Sequence, residues 1–294
     1  MSNISLIIEE KAADIGNFLV GRLLPFRQKR NIGPFVFIDH MGPAKLKDYQ
    51  NLDVASHPHI GLSTLTYLFE GAIMHRDSLG TKLEIKPGAV NWMTAGKGVV
   101  HSERTPEYLR KTDKSLHGLQ IWVALPVELE EMEPSFVHVE ADKLPVWQEG
   151  NTQFKLIAGA VNGLESAVPV YSKLYMIEIK TQEAATIALG DKLFGESGLY
   201  ILEGSISNQG HSYESKQILI TQDAHLCTFD MAANTTVYIF GGEPFPEERF
   251  IYWNFVSSRK ERIEQAKEDW TNQRMGKVIE ETEWIPLPEP PFKK

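Results

Sequence analysis

Apolar and polar positions alternate in short runs along most of the chain. Residues 4–8, 35–38, 65–71, 83–88, 91–98 and 116–123 each combine β-branched or aromatic residues with a Gly or Pro turn nearby. The same rhythm returns at 154–158, 173–179, 198–202, 217–221 and 235–240. Two sets of short strands separated by frequent turns predict an all-β protein made of two small antiparallel, jelly-roll-like barrels. The break falls after Pro126. An acidic stretch with Glu128, Glu130, Glu131 and Glu133 reads as solvated surface, and Pro134, Pro145 and Gly150 punctuate the connection. The predicted domains are therefore 1–145 and 146–256, followed by a C-terminal segment, 257–294.

That last segment changes period. Ser258-Arg259-Lys260-Glu261 has the form of a capping box. Ile263, Ala266 and Trp270 then recur at helical spacing between charged residues, which predicts a helix over 259–275 with Gly276 as its stop. The Pro-rich stretch 285–291 reads as an extended tail, strapped over its own barrel in preference to serving as a ligand for a partner domain.

Candidate chemistry concentrates between residues 57 and 103. His57-Pro58-His59 opens the stretch and His101-Ser102-Glu103 closes it. On an extended strand, residues i and i+2 share a face, so each motif aims two donors the same way. If two strands bring the motifs together, three imidazoles and one carboxylate converge. That set suits a first-row divalent ion and leaves positions for water, substrate or dioxygen. One His-x-His alone is as readily structural as metal-binding; the pair, with turn chemistry between, is a much stronger signal. His40 reads as structural or as support behind a ligand. His75 reads as a turn hydrogen-bonder within a turn-like 75–80 stretch, and His117 as a core histidine. If the strand ran unbroken from His57, Ser63, Leu65 and Tyr67 would face inward; a bulge at Gly61 would shift that parity. Arg22, Arg27, Lys29 and Arg30 read as a solvated loop. The second strand set carries neither motif, and His211 and His225 have no ligand-type residue two positions away, so it is predicted to hold no metal.

The stretch HPHIGLSTLTYLFEG, followed by HRDSLG and IKPGAVNWMTAGKGVVHSE, resembles the first domain of the pirins, bicupins of the cupin superfamily. The run GPFVFIDHMGP at 33–43 and Gly241-Gly242-Glu243-Pro244 fit the same family, and the resemblance extends from about residue 18 to 256. It implies a cupin-type fold and one metal ion held by His57, His59, His101 and Glu103. Iron(II) is the ion the resemblance implies; Zn, Ni, Cu or Mn would suit the same donors. Many cupins carry a glutamate ligand shortly after the second histidine, where this chain has Ser63 and Thr64, so Glu103 would supply the carboxylate.

Composition narrows the function. A chain of 294 residues with 42% hydrophobic positions has enough material for two cores. A formal net charge of −9 argues against a sequence-independent grip on nucleic acid. The single cysteine, Cys227, excludes an intrachain disulfide framework and fits a reducing compartment. No leader-like or membrane-spanning run occurs, and a cytoplasmic protein is expected. Two functions follow from the resemblance. The first is oxygen-dependent cleavage of a flavonol such as quercetin, as by quercetin 2,3-dioxygenases, with Glu103 taking the substrate proton. The second is a non-enzymatic, iron-dependent regulator that binds a protein partner. A third reading keeps the barrel with a vestigial metal.

Overall fold

The computed structural model describes residues 4–15, 18–221 and 228–289; the sequence readings for His225, Cys227 and the tail beyond Glu289 lie outside them. Strands dominate, and Lys260–Thr271 is the single α-helix among the described residues. Among the described residues, no helix is long and apolar enough to cross a membrane.

The chain folds into two compact units that trade segments. One takes residues 1–13, 21–40 and 137–245; the other takes 14–20, 41–136 and 246–294. Pairing explains why early residues join the later strand set. Ile4–Glu9 lies antiparallel to Gln217–Thr221, with Ile7 opposite Leu219. Lys29 Nζ reaches Glu196 Oε1 at 2.5 Å, and the Gly33 amide donates to the other oxygen of that carboxylate at 2.8 Å. The basic stretch predicted to be solvated is thus partly tied down, and Arg22 forks onto Asp39 with two bonds of 2.8 Å.

In this first unit a large sheet runs in the order Ile4–Glu9, Gln217–Thr221, Glu196–Glu203, Thr235–Gly242, Leu174–Thr181, Thr152–Val161, Val146–Glu149. A four-stranded sheet is built from Ala185–Ala188, Thr228–Met231, Ser205–Asn208 and His211–Glu214. Alternation along each strand fills the core: Leu156, Ile177, Leu199 and Val237 from the large sheet pack with Ile187, Ile206, Phe229 and Met231 from the small one. The opposite face of the large sheet carries Glu178, Tyr238 and Tyr200 in one cross-strand row. These polar groups are buried and satisfied: Tyr238 donates to Glu178, and Tyr200 donates to Glu10.

The second unit carries the site on two sheets, beside a two-stranded one that pairs Phe250–Tyr252 with Phe255–Ser257. The first is ordered Asp53–His59, Val99–Arg104, Ile73–Asp77, Lys82–Ile85. The second contains Val90–Thr94, Leu62–Glu70 and Lys114–Ala124 as neighbours. Between the first strands of the two sheets, Gly61 adopts φ +67°. A Cβ there would sit 2.0 Å from the carbonyl oxygen of Val256, so both the turn and the close approach require glycine.

The acidic stretch and the C-terminal helix both depart from the sequence reading. Glu130, placed on the solvated acidic surface from sequence, is only 2% exposed. Arg249 Nε lies 3.2 Å from its Oε1, and Ser257 Oγ, Ser258 Oγ and the Ser258 amide donate to the carboxylate. Burial of this charge is compensated by a full set of donors. Because Ser258 is engaged there, the capping box does not form. The helix begins one residue later, after Arg259, without a side-chain cap. It ends at Thr271, short of 275, because Gln273 already takes the left-handed conformation at φ +54°.

The apolar stripe behaves as predicted. Ile263, Ala266 and Trp270 are buried with Ile60, Val100, Phe255 and Val278. Trp270 Nε1 donates to the carbonyl of Ile285 at 3.0 Å, so the helix also anchors the tail. Trp270→Ala should therefore cost on the order of 3–5 kcal/mol, lowering the midpoint of urea unfolding with little change in slope. An unchanged midpoint would show that the helix adds nothing to this core.

Candidate metal centre

The site is built by two antiparallel strands in register. His101 on Val99–Arg104 lies directly opposite His57 on Asp53–His59, and Val99 lies opposite His59. The period-two pleat then puts His57, His59 and His101 on one face. Their rings are close: 4.2 Å between centroids for His57 and His101, 5.0 Å for His59 and His101, and 5.2 Å for His57 and His59. One ring nitrogen from each falls within 4.8 Å of the others, and the three form the only such group of potential ligands among the described residues.

The donors fit a divalent ion. All three rings are buried, and Nδ1 of His59 and Nε2 of His101 have no hydrogen-bond partner. Orphaned polar atoms in a closed interior are costly unless something binds them. Burial also holds the rings neutral. His57 is lowered to about 4, against the hydrogen bond its Nδ1 makes to the Ala55 carbonyl at 2.8 Å. His59 and His101 are held well below the usual histidine range, first by burial and then by the neighbouring rings. Neutral imidazoles with lone pairs facing one point are the form a metal requires.

Glu103 follows on the same face of its strand, opposite His75. It is not one of the three mutually close ligands, although its Oε1 is shielded and unpartnered. Burial alone raises its carboxyl to about 7. A register shift between His101 and Glu103 brings Glu103 opposite Val54, so the pairing that aligns the histidines does not carry on regularly to the carboxylate.

The structure adds residues that sequence reading set aside. His75 and Asp77 lie on a regular strand, Ile73–Asp77, and not in a turn. Asp77 is opposite His101, and His75 Nδ1 comes 3.4 Å from His101 Nδ1. The H-x-D spacing was the available signal, since it is the same period-two pattern as the ligand pairs. On the facing sheet, Trp122 meets His59 edge-on, with ring centroids 5.1 Å apart. Its cross-strand neighbour is Thr64, so Thr64 and Thr66 share the inward face with Trp122 and Gln120, and the parity that favoured Ser63, Leu65 and Tyr67 is shifted at Gly61. His40 is held by Glu10 at 2.6 Å, and His117 is buried edge-on against Phe69. His211 is exposed on a strand of the first unit.

Behind the ligands, the outward residues of the same strands are clamped. Ser102 Oγ and Arg104 donate to Glu281 at 2.9 and 2.7 Å, and Arg104 also reaches Glu283 at 2.9 Å. Trp284 bridges to Ser56 beside His57, the Ile285 amide donates to the Ser56 carbonyl at 2.9 Å and Tyr252 donates to the Pro288 carbonyl at 3.2 Å, so the described part of the predicted tail, 285–289, lies against its own unit.

Paired antiparallel sheets with a buried three-histidine cluster on neighbouring strands define a metal-binding bicupin, and comparison with known proteins gives the same class. Residues 17–123 match the pirin family model and residues 176–276 match that of the pirin C-terminal cupin domain. A pirin-like protein of Caulobacter vibrioides is 47% identical over 290 residues, 97% of this chain and all of the relative. The chain belongs to the pirin family. Among solved structures, a quercetin 2,3-dioxygenase from Acinetobacter baumannii superposes with a TM-score of 0.87 at 32% identity, covering 98% of this chain and 96% of that one. The Escherichia coli pirin YhhW in complex with nickel(II) shares the fold at a TM-score of 0.59 and 18% identity, covering 82% of this chain and 100% of that one.

Two outcomes are expected. Metal analysis after reconstitution should give about one divalent ion per chain, and the double variant His57→Ala, His59→Ala should bind none; stoichiometric metal in that variant would refute the site. The metal-free protein should also lose stability in mild acid. The His57 ring takes its proton near pH 6.5 when unfolded and near pH 4 when folded, so between those values the unfolded chain binds more protons. The contribution of the neutral rings is complete above pH 6.5 and should fall by up to about 1.4 kcal/mol per pH unit for each such ring below it, offset in part by Glu103, whose carboxyl, raised to about 7, gains stability as the pH falls below that value. Urea unfolding of apo protein at pH 7 and pH 5 checks this, and His57→Asn should reduce the difference.

Proposed function

We propose that this pirin is a metal-dependent dioxygenase that cleaves flavonol-like, enolisable substrates, with quercetin as the test compound. The observation that carries the reading is a buried three-imidazole cluster with the half-buried Glu103, whose Oε1 is shielded and unpartnered, on the same strand face. Likeness at 32% identity to the A. baumannii quercetin 2,3-dioxygenase across nearly the whole chain supports it. His57, His59 and His101 would hold the ion, with Glu103 as the proposed fourth donor. Iron(II) is the proposed ion, though Zn, Ni, Cu and Mn are served by the same nitrogen and oxygen donors. Bound there, the ion supplies Lewis acidity toward an enolic hydroxyl and, as Fe(II), redox access to dioxygen.

The chain's own residues do the rest. Glu103, raised to about 7 by burial, is basic enough to take the proton of an enolic hydroxyl near neutral pH. Lying outside the three-nitrogen cluster, it is assigned the base first and the fourth donor second. Trp122 offers a flat apolar wall next to His59. Two residues along the same face, about 6.6 Å by strand rise, Gln120 is partly exposed although its neighbours in mid-strand are buried. Its Oε1 accepts from Thr66 Oγ1 at 2.9 Å, which turns the amide N–H groups toward other acceptors. A planar substrate anchored at the ion and lying along Trp122 would present a carbonyl or hydroxyl oxygen to that amide. The 146–256 strand set is assigned no ion. A cytoplasmic setting fits the lone cysteine.

Anaerobic titration of Fe(II)-loaded protein with quercetin, followed by admission of air, tests the reading. Binding should perturb the flavonol spectrum before air is admitted, and loss of quercetin should follow with matching oxygen uptake. Protein with full Fe(II) loading that consumed neither would end the dioxygenase reading for this substrate. At equal iron loading, Glu103→Gln should retain binding but lose turnover by a factor of about 10² or more. Gln120→Leu should instead act mainly through KM, since it removes a contact to a part of the substrate that does not react.

A further inference from the structure

The three histidines are not equivalent in what lies behind them. His57 rests its Nδ1 on a neutral backbone carbonyl, that of Ala55. His101 has no such acceptor; its Nδ1 faces His75 Nδ1 at 3.4 Å. The other nitrogen of His75, Nε2, lies 3.0 Å from Asp77 Oδ2. His75 and Asp77 are 2% and 1% exposed, so neither can exchange these partners for bulk water. We propose that Asp77 and His75 are positioning residues: a chain of hydrogen bonds from the Asp77 carboxylate through His75 fixes the proton on Nδ1 of His101 and leaves its Nε2 bare for the metal.

The argument needs valence and neutral rings at His75 and His101, the state in which His101 can hold a metal. A carboxylate accepts and does not donate, so the hydrogen on the His75–Asp77 link belongs to His75 Nε2. A neutral imidazole carries one N–H, so His75 Nδ1 is then an acceptor. The facing nitrogen of His101 must therefore be the donor, and its remaining nitrogen, Nε2, holds a lone pair. Nε2 is the buried atom of His101 without a partner. One carboxylate thus selects the tautomer of two rings in series, and the selection ends in the form a metal needs.

The scaffold holds each link in place. Asp77 Oδ1 accepts the amides of Leu79 and Thr81, both at 2.9 Å, so the carboxylate cannot rotate away. The turn that carries those amides is pinned to the ligand strand. The Ser78 amide donates to the Val100 carbonyl at 2.8 Å, and the Val100 amide donates to Ser78 Oγ at 3.1 Å, one residue before His101. Phe136 stacks on the His75 ring with centroids 4.6 Å apart and fixes its plane. The link through His75 also gives His101 a share of anionic character that His57 lacks, so His101 should be a stronger donor than His57. The inference rests on the metal site alone and not on the reaction proposed for it.

The test reads tautomers and affinity, not turnover. In Zn(II)-loaded wild-type protein labelled with 15N, long-range 1H–15N correlation spectra of the histidine rings should show His101 protonated at Nδ1 and metal-bound at Nε2. The same spectra should show His75 protonated at Nε2 and bare at Nδ1. The opposite tautomer at either ring would overturn the proposal without any variant. Asp77→Asn can turn an N–H toward His75 Nε2 and reverse the chain, so its Kd for Ni(II), measured against a competing chelator, should weaken by about 10- to 100-fold. His75→Phe keeps a ring stacked on Phe136 but breaks the link, and should weaken Ni(II) binding in the same direction and shift the visible spectrum of the Co(II)-substituted protein. A folded Asp77→Asn protein with wild-type Kd and unchanged His101 shifts would show that the contacts are packing alone.

Discussion

The structure depends on one cross-strand pair. Placing His57 opposite His101 in an antiparallel ladder fixes two ligands by backbone hydrogen bonding, and the pleat delivers His59 to the same face. No loop has to find its place for the three nitrogens to meet. The cost is that three polar rings are shut away from water, with two nitrogens left unpaired. The remainder of the second unit offsets that cost and holds the register: the outward residues of the same strands are bonded to Glu281 and Glu283, and the helix seals Ile60 and Val100 beneath Trp270.

The same pair gives the site its asymmetry. One side of the cluster leans on a backbone carbonyl, the other on a carboxylate two bonds removed through His75. Glu103 is set apart by a shift in register and by an environment that favours its neutral form. Three neutral nitrogens and one carboxyl poised near neutrality make a centre whose charge depends on what binds there. That property is more useful in handling an acidic hydroxyl than in a purely structural metal site, where the ligand shell is closed.

Much of this was legible in the sequence because strand geometry is simple. Two donors at i and i+2 announce a shared face, and the pirin resemblance supplied the partner strand. The helix stripe of Ile263, Ala266 and Trp270 was equally plain. What failed were features that depend on distant partners. Ser258 looked like a cap, but Glu130, far off in sequence and buried, claims it first. Glu130 itself looked like solvated surface, because nothing local shows that Arg249 will come to it. His75 and Asp77 were read as a turn, since Ser78 and Gly80 follow at once; the strand extends to Asp77 only because Val99–Arg104 pairs with it. The parity after Gly61 could be posed but not decided, as it turns on the approach of the Val256 carbonyl.

The strand that carries His57 and His59 is the last in its sheet. Its free edge is covered from the far end of the chain: Phe255 bridges to Ile60, Trp284 bridges to Ser56, and the Ile285 amide donates to the Ser56 carbonyl. During synthesis these covers emerge about two hundred residues after the edge they protect, in a chain made from the N-terminus onward. For that interval the ligand strand is an open ladder, able to accept any passing β-strand, including its counterpart on a neighbouring nascent chain. The alternate Pro58 removes one donor from that ladder. The metal-site edge is thus closed only when residues near 255 and 284 are in place, so the last part of the chain to be made is the part that shields the first strand of the site.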